Sequence, residues 1–130
     1  MYNLLCFISV PQSWATVQIS APPDDSAVVG REFVMTCTVT AVRGLVPSVV
    51  WTGPDGNLTD AENITVGPAQ TFGLVTSRSL TLHYLQLSDR GKYICKAVIS
   101  ILRLETSLQI AAHQFVDVIG KLYILYLLSH

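Results

Sequence analysis

The sequence predicts an all-β fold, and three observations carry that expectation. Residues 33–40 alternate, with Phe33, Met35, Cys37 and Val39 on one face and Thr36, Thr38 and Thr40 on the other. Period two with one apolar face marks a half-buried strand. Further short apolar runs follow, separated by proline, glycine and aspartate clusters that read as turns. Cys37, Trp51 and Cys95 fall within these runs, the last closing Asp89-Arg90-Gly91-Lys92-Tyr93-Ile94-Cys95.

In chain order, Thr16–Ser20 reads as the first strand. Pro22-Pro23-Asp24-Asp25 interrupts it, because proline cannot donate to a ladder and is confined to edges and breaks. Gly30 marks the turn into the alternating strand, whose Cys37 belongs to the set that points inward. Ser48–Thr52 is the next strand, with Val49 and Trp51 inward, and Pro54-Asp55-Gly56-Asn57 turns the chain. Two weak strands are expected near Asn63–Val66 and Thr71–Val75, then a stronger one over Ser79–Tyr84 with Leu80 and Leu82 inward. Gly91–Ile99 places Tyr93, Cys95, Ala97 and Ile99 inward, and a last strand within Glu105–Val118 does the same with Leu108 and Ile110. The connection Ser100–Glu105 contains neither the glycine nor the asparagine expected of a tight turn.

Leu80-x-Leu82-x-x-Leu85-x-x-x-Asp89-x-Gly91-x-Tyr93-x-Cys95 resembles the stretch joining the fifth and sixth strands of the immunoglobulin superfamily. The likeness covers roughly residues 16–118. It implies a two-sheet antiparallel β-sandwich of Greek-key topology, with a Cys37–Cys95 disulfide crossing the core against Trp51. The separation of 58 positions from Cys37 to Cys95 is shorter than in variable-type members, which favours the intermediate (I-set) or C2-like layouts or a short variable-like one. The resemblance further implies that Tyr93 turns its hydroxyl back onto the chain. Asp89 is then a turn-stabilising or ion-paired residue, with Arg78 or Arg31 standing in for the family's usual arginine partner.

A chain of 130 residues fits one such domain, and 50% hydrophobic residues suffice for a closed core without a metal. A net charge of −1 gives no electrostatic case for nucleic acid or an anionic membrane. His83, His113 and His130 follow no zinc-ligand spacing, and no Ser/His/Asp set, paired acids or phosphate loop is found. No metal, cofactor or enzymatic activity is therefore expected.

The termini carry their own expectations. Leu4–Val10 is apolar, Pro11-Gln12 breaks it, and Ser13-Trp14-Ala15 has small residues where a signal peptidase would cut. Residues 1–15 thus read as a signal peptide whose removal takes Cys6 away and leaves an even pair of cysteines; the alternatives are a truncated upstream segment or an extra strand. Residues 119–130 form an apolar tail, and Leu122–Leu128 is far short of the roughly 20 residues that span a bilayer. The tail is either the start of a membrane segment, a weak lipid-anchor signal, or a stretch that packs back on the domain.

The expected role is non-catalytic protein recognition by a secreted or cell-surface domain of adhesion or receptor type. A structural spacer within a larger protein and a partial gene product are the alternatives. Asn57-Leu58-Thr59 and Asn63-Ile64-Thr65 match the N-glycosylation pattern. With Trp51 and Cys95 inward, Val50, Ile94 and Val98 point outward beside Lys96 and Thr52, which makes this face the candidate site for a protein ligand or for self-association.

Overall fold

A computed structural model of the chain describes residues 14–101 and 107–120, and the expected all-β sandwich is what they form. The strands are β1 (Ala15–Ser20), β2 (Phe33–Ala41), β3 (Leu45–Gly53), β4 (Gly56–Asn57), β5 (Ile64–Val66), β6 (Gln70–Phe72), β7 (Val75–Leu82), β8 (Gly91–Ile101) and β9 (Ser107–Val116). One sheet runs β1-β2-β7-β5, with β6 also on β7, and the other runs β4-β3-β8-β9. All the strand pairings are antiparallel.

Alternation decides what lies between the sheets. Phe33, Met35, Cys37, Val39 and Ala41 of β2 face Val49 and Trp51 of β3 and Tyr93, Cys95, Ala97 and Ile99 of β8, all buried. Leu108 and Ile110 of β9 pack against this core half-buried.

The first strand breaks at Pro22-Pro23, and Asp24–Ser26 makes a single 3₁₀ turn. Beyond it, Val28 forms a parallel bridge with Ile119, held by Ile119 N–H to Ala27 O at 2.7 Å and Val29 N–H to Ile119 O at 2.9 Å. The chain therefore leaves β2 at the prolines and crosses to the segment just past β9. Ala15 and Ile119, one residue outside the expected domain at either end, both take part in pairing.

Several boundaries differ from expectation, each for a local reason. β7 begins at Val75 rather than Ser79 because the hairpin turn lies at Gly73-Leu74. Gly73 takes φ +62°, which glycine adopts without a Cβ penalty, but the turn contains no proline, asparagine or aspartate to signal it. β7 ends at Leu82 rather than Tyr84, whose backbone is taken by the Asn63 side chain. β3 starts at Leu45 and runs through Pro47, which pairs with Ile99. β4 flanks only the far end of β3, so the side of Pro47 away from β8 is an open edge, where a missing N–H costs no ladder bond.

Candidate interaction face

The residues of the cysteine motif build one rigid corner. Cys37 and Cys95 are joined by a disulfide with Cα atoms 6.2 Å apart, linking β2 to β8 and therefore one sheet to the other. Trp51 is the cross-strand partner of Cys95, and its indole N–H donates to Arg78 O at 3.1 Å, which satisfies its one polar atom inside the core. Tyr93 is 2% exposed, and its hydroxyl donates to Asp89 O at 2.6 Å. Burial first, and then the charges of Asp89 and Asp55, push the phenol up to about 12.

Asp89 closes a single 3₁₀ turn over Leu87–Asp89. Its carboxylate accepts from Gln86 N–H at 2.8 Å, in the reciprocal arrangement of a capping box. It makes no ion pair with Arg78 or Arg31 among the described residues. Arg78 is occupied elsewhere: its Nε donates to Gly67 O at 2.6 Å and its Nη1 to Val49 O at 2.8 Å, so the guanidinium ties β7 to β3 across the sandwich. The ion pair beside the corner is instead Arg90 with Asp117, at 3.0 Å and exposed.

Gly91 has two reasons to be glycine. Its φ is +147°, and a Cβ there would lie 2.6 Å from Cγ of Pro54. The proline of the turn after β3 thus packs directly on the start of β8.

Register sets the outer face of the second sheet. Thr52, Ile94 and His113 form one cross-strand row; Val50, Lys96 and Ala111 the next; Ser48, Val98 and Gln109 the third. Val50, Ile94, Lys96 and Val98 are all half-buried. Lys96 sits in the middle row, between Ile94 and Val98 along β8 and beside Val50 on β3. A lysine stem covers apolar neighbours while its ammonium stays in water. Phe115, left unnamed by the sequence reading, lies on the same face opposite Lys92, 53% exposed, with the Arg90 guanidinium carbon 5.8 Å from its ring centroid. The alternation that turns Leu108 and Ile110 inward was the signal that placed it outward.

The family model for the immunoglobulin I-set domain matches residues 17–111, most of the chain. The chain belongs to the immunoglobulin I-set family. No curated protein matches the sequence. Among solved structures this I-set domain is similar to the fourth constant immunoglobulin domain of nurse shark IgNAR, with 11% identity over 78% of this chain and 96% of that one and a TM-score of 0.41.

The two sequons occupy different settings in the I-set domain. Asn57 is exposed on the edge strand β4, where its Oδ1 accepts from the Thr52 hydroxyl at 3.4 Å. Asn63 is half-buried just before β5, and both ends of its carboxamide bond to the backbone of Tyr84. His83 Nε2 lies 2.7 Å from the Thr65 hydroxyl and its Nδ1 3.9 Å from Glu32, while His113 is on β9. Among the described residues no group of three His, Cys, Asp or Glu side chains is placed to hold a metal ion, and no helix is long and apolar enough to cross a membrane. Cys6, His130, the signal-like segment apart from its last two residues, and all but the first two residues of the apolar tail lie outside the described residues.

Proposed function

We propose that this I-set domain is an extracellular, non-catalytic protein-recognition module that binds through the outer face of β3, β8 and β9. The observation that carries the reading is the composition of that face: Val50, Ile94 and Val98 gathered around Lys96, with Phe115 at the rim. An apolar centre beside a lysine ammonium is a surface suited to a protein partner carrying an apolar patch with an acidic group. The disulfide supports the compartment, since such bonds persist in oxidising environments. Export by residues 1–15, with cleavage after Ala15, belongs to the same proposal. Its measure is the mature N-terminus of the secreted chain: Thr16 supports it, and an intact Met1 overturns it.

The face is tested with the double variant Ile94→Lys/Val98→Lys, followed by secretion level, circular dichroism and sedimentation against a panel of candidate partners and against itself. Normal secretion with loss of association supports the face. Association unchanged in the folded double variant refutes it.

One observation favours the second reading, a spacer domain stacked end to end in a longer protein. Trp14, Val42, Val46, Phe72 and Leu74 are exposed at one pole, where the turn after β2 meets the turn between β6 and β7. Phe72 is the extreme case, at 80% exposure. A neighbouring domain seated on that pole would cover them. Phe72→Ser/Leu74→Ser would then raise the solubility of the isolated domain while leaving binding through Ile94 and Val98 unaltered.

A further inference from the structure

We propose that Asn57 is an N-glycan acceptor and that Asn63, despite the same tripeptide pattern, is not. The inference rests on the extracellular reading above, since only an exported chain meets the transferase, but not on which face binds a partner.

Glycan transfer is a substitution at the carboxamide nitrogen. Nδ2 forms a bond to C1 of the first sugar of a lipid-diphosphate-linked oligosaccharide. The bond from C1 to the diphosphate oxygen breaks, the lipid diphosphate leaves with the electron pair, and Nδ2 gives up one of its two protons, which balances the charge of the departing diphosphate. The product is a secondary amide. Its trans form places the sugar on the same side of the Cγ–Nδ2 bond as Oδ1, and the cis form costs about 2.5 kcal/mol or more.

Asn63 cannot accept that substituent in the fold. Its Oδ1 accepts from Tyr84 N–H at 2.7 Å while its Nδ2 donates to Tyr84 O at 2.8 Å. A two-point bond to one residue's N–H and C=O uses the carboxamide edge that carries Oδ1 and the proton on its own side. That proton is the one the sugar replaces. A glycan on Asn63 therefore takes away the bond to Tyr84 O and puts its first ring where the backbone of Tyr84 lies. The rest of the sequon is engaged too: the Thr65 hydroxyl bonds His83 Nε2, and His83 N–H donates to Asn63 O at 2.9 Å. In the fold, Asn63 extends the β5–β7 ladder by one more pair.

Asn57 has none of these ties. It sits on a two-residue edge strand directly after the turn, and its Nδ2 makes no hydrogen bond among the described residues. Thr59 is exposed, while Leu58 between them packs against the core and holds the sequon at the surface. A glycan there would stand at the free edge of the second sheet beside Thr52, the end of the row that contains Ile94.

The test uses the full chain behind a heterologous cleavable signal sequence in animal secretory cells, so that failure of residues 1–15 to export it does not decide the outcome. Peptide N-glycosidase digestion in ¹⁸O-water labels each formerly glycosylated asparagine as aspartate for peptide mass spectrometry. The expected result is label at Asn57 and none at Asn63. Thr59→Ala should abolish the glycosidase-sensitive gel shift, and Thr65→Ala should leave it intact. Label at Asn63 in the secreted, folded product overturns the inference, and so does a secreted product with label at neither site. The two threonine variants leave both asparagines, and the Asn63 bonds to Tyr84, in place.

Discussion

Thr36, Thr38 and Thr40 on β2 and Ile94, Lys96 and Val98 on β8 hold equivalent outward positions, on either side of the same disulfide, yet they make opposite surfaces. On the first sheet three outward pairs are hydroxyl against hydroxyl: Thr36 with Ser79, their oxygens 3.1 Å apart, Thr38 with Ser77, and Thr16 with Thr40, with Val34 and Val75 exposed at either end of these rows. Thr36 and Ser79 satisfy each other, and the hydroxyl rows offer a partner little apolar area to cover. On the second sheet the rows set Val50, Ile94 and Val98 around Lys96, with the polar Thr52, His113, Ser48 and Gln109 at their ends, and covering the aliphatics removes apolar area from water. Inner faces built to one pattern thus place no constraint on outer ones.

Removing the element that both sheets share gives the largest expected effect. The double variant Cys37→Ala/Cys95→Ala should lose about 4 kcal/mol in urea unfolding, as expected for opening a loop of this length. Both faces should be lost together, because the disulfide ties β2 to β8.

Gly91→Ala strikes the second sheet alone. A positive φ and the contact with Pro54 combine to cost about 2 kcal/mol, measured by chemical denaturation. Any loss of partner binding in this variant should exceed that in a first-sheet variant of equal stability.

Tyr93 sharpens the comparison through pH. Its pKa is about 12 in the folded chain and about 10 unfolded, so the unfolded state releases the proton first as pH rises. The stabilisation is complete below pH 10 and is lost as pH climbs from about 10 to about 12. Tyr93→Phe should remove this alkaline dependence and cost about 1 kcal/mol at neutral pH, through the bond to Asp89 O.

The smallest effect separates the two faces most directly. Thr38→Lys and Val98→Lys, each at an outward position, should both change stability by no more than about 0.5 kcal/mol. Only Val98→Lys should weaken association by sedimentation. Equal losses from the two variants would erase the distinction drawn between the sheets.

The alternation of β2 and the run from Leu80 to Cys95 were readable because each rests on local rules: period two, turn chemistry and a motif whose members lie close in sequence. The start of β7 was not, because Gly73 is the one turn residue there, with no proline, asparagine or aspartate beside it to reinforce the signal. The partner of Asp89 was misplaced for a different reason. Arg78 is adjacent to the right strands in sequence, but its inward register on β7 delivers the guanidinium to Val49 O and Gly67 O, and Asp89 caps its own turn instead.

The sequence by itself determined the fold class, the inward set of each long strand and therefore the outward set, since pleating leaves no third direction. Tertiary structure alone decided the register, which sets Val50 opposite Lys96 and brings Phe115 of β9 to the rim of the face expected from Ile94, Lys96 and Val98. It also distinguished Asn57 from Asn63, whose tripeptides are alike. That difference depends on Tyr84, twenty-one residues further along the chain, and a contact at that range is set by strand pairing, which no local pattern around either asparagine encodes.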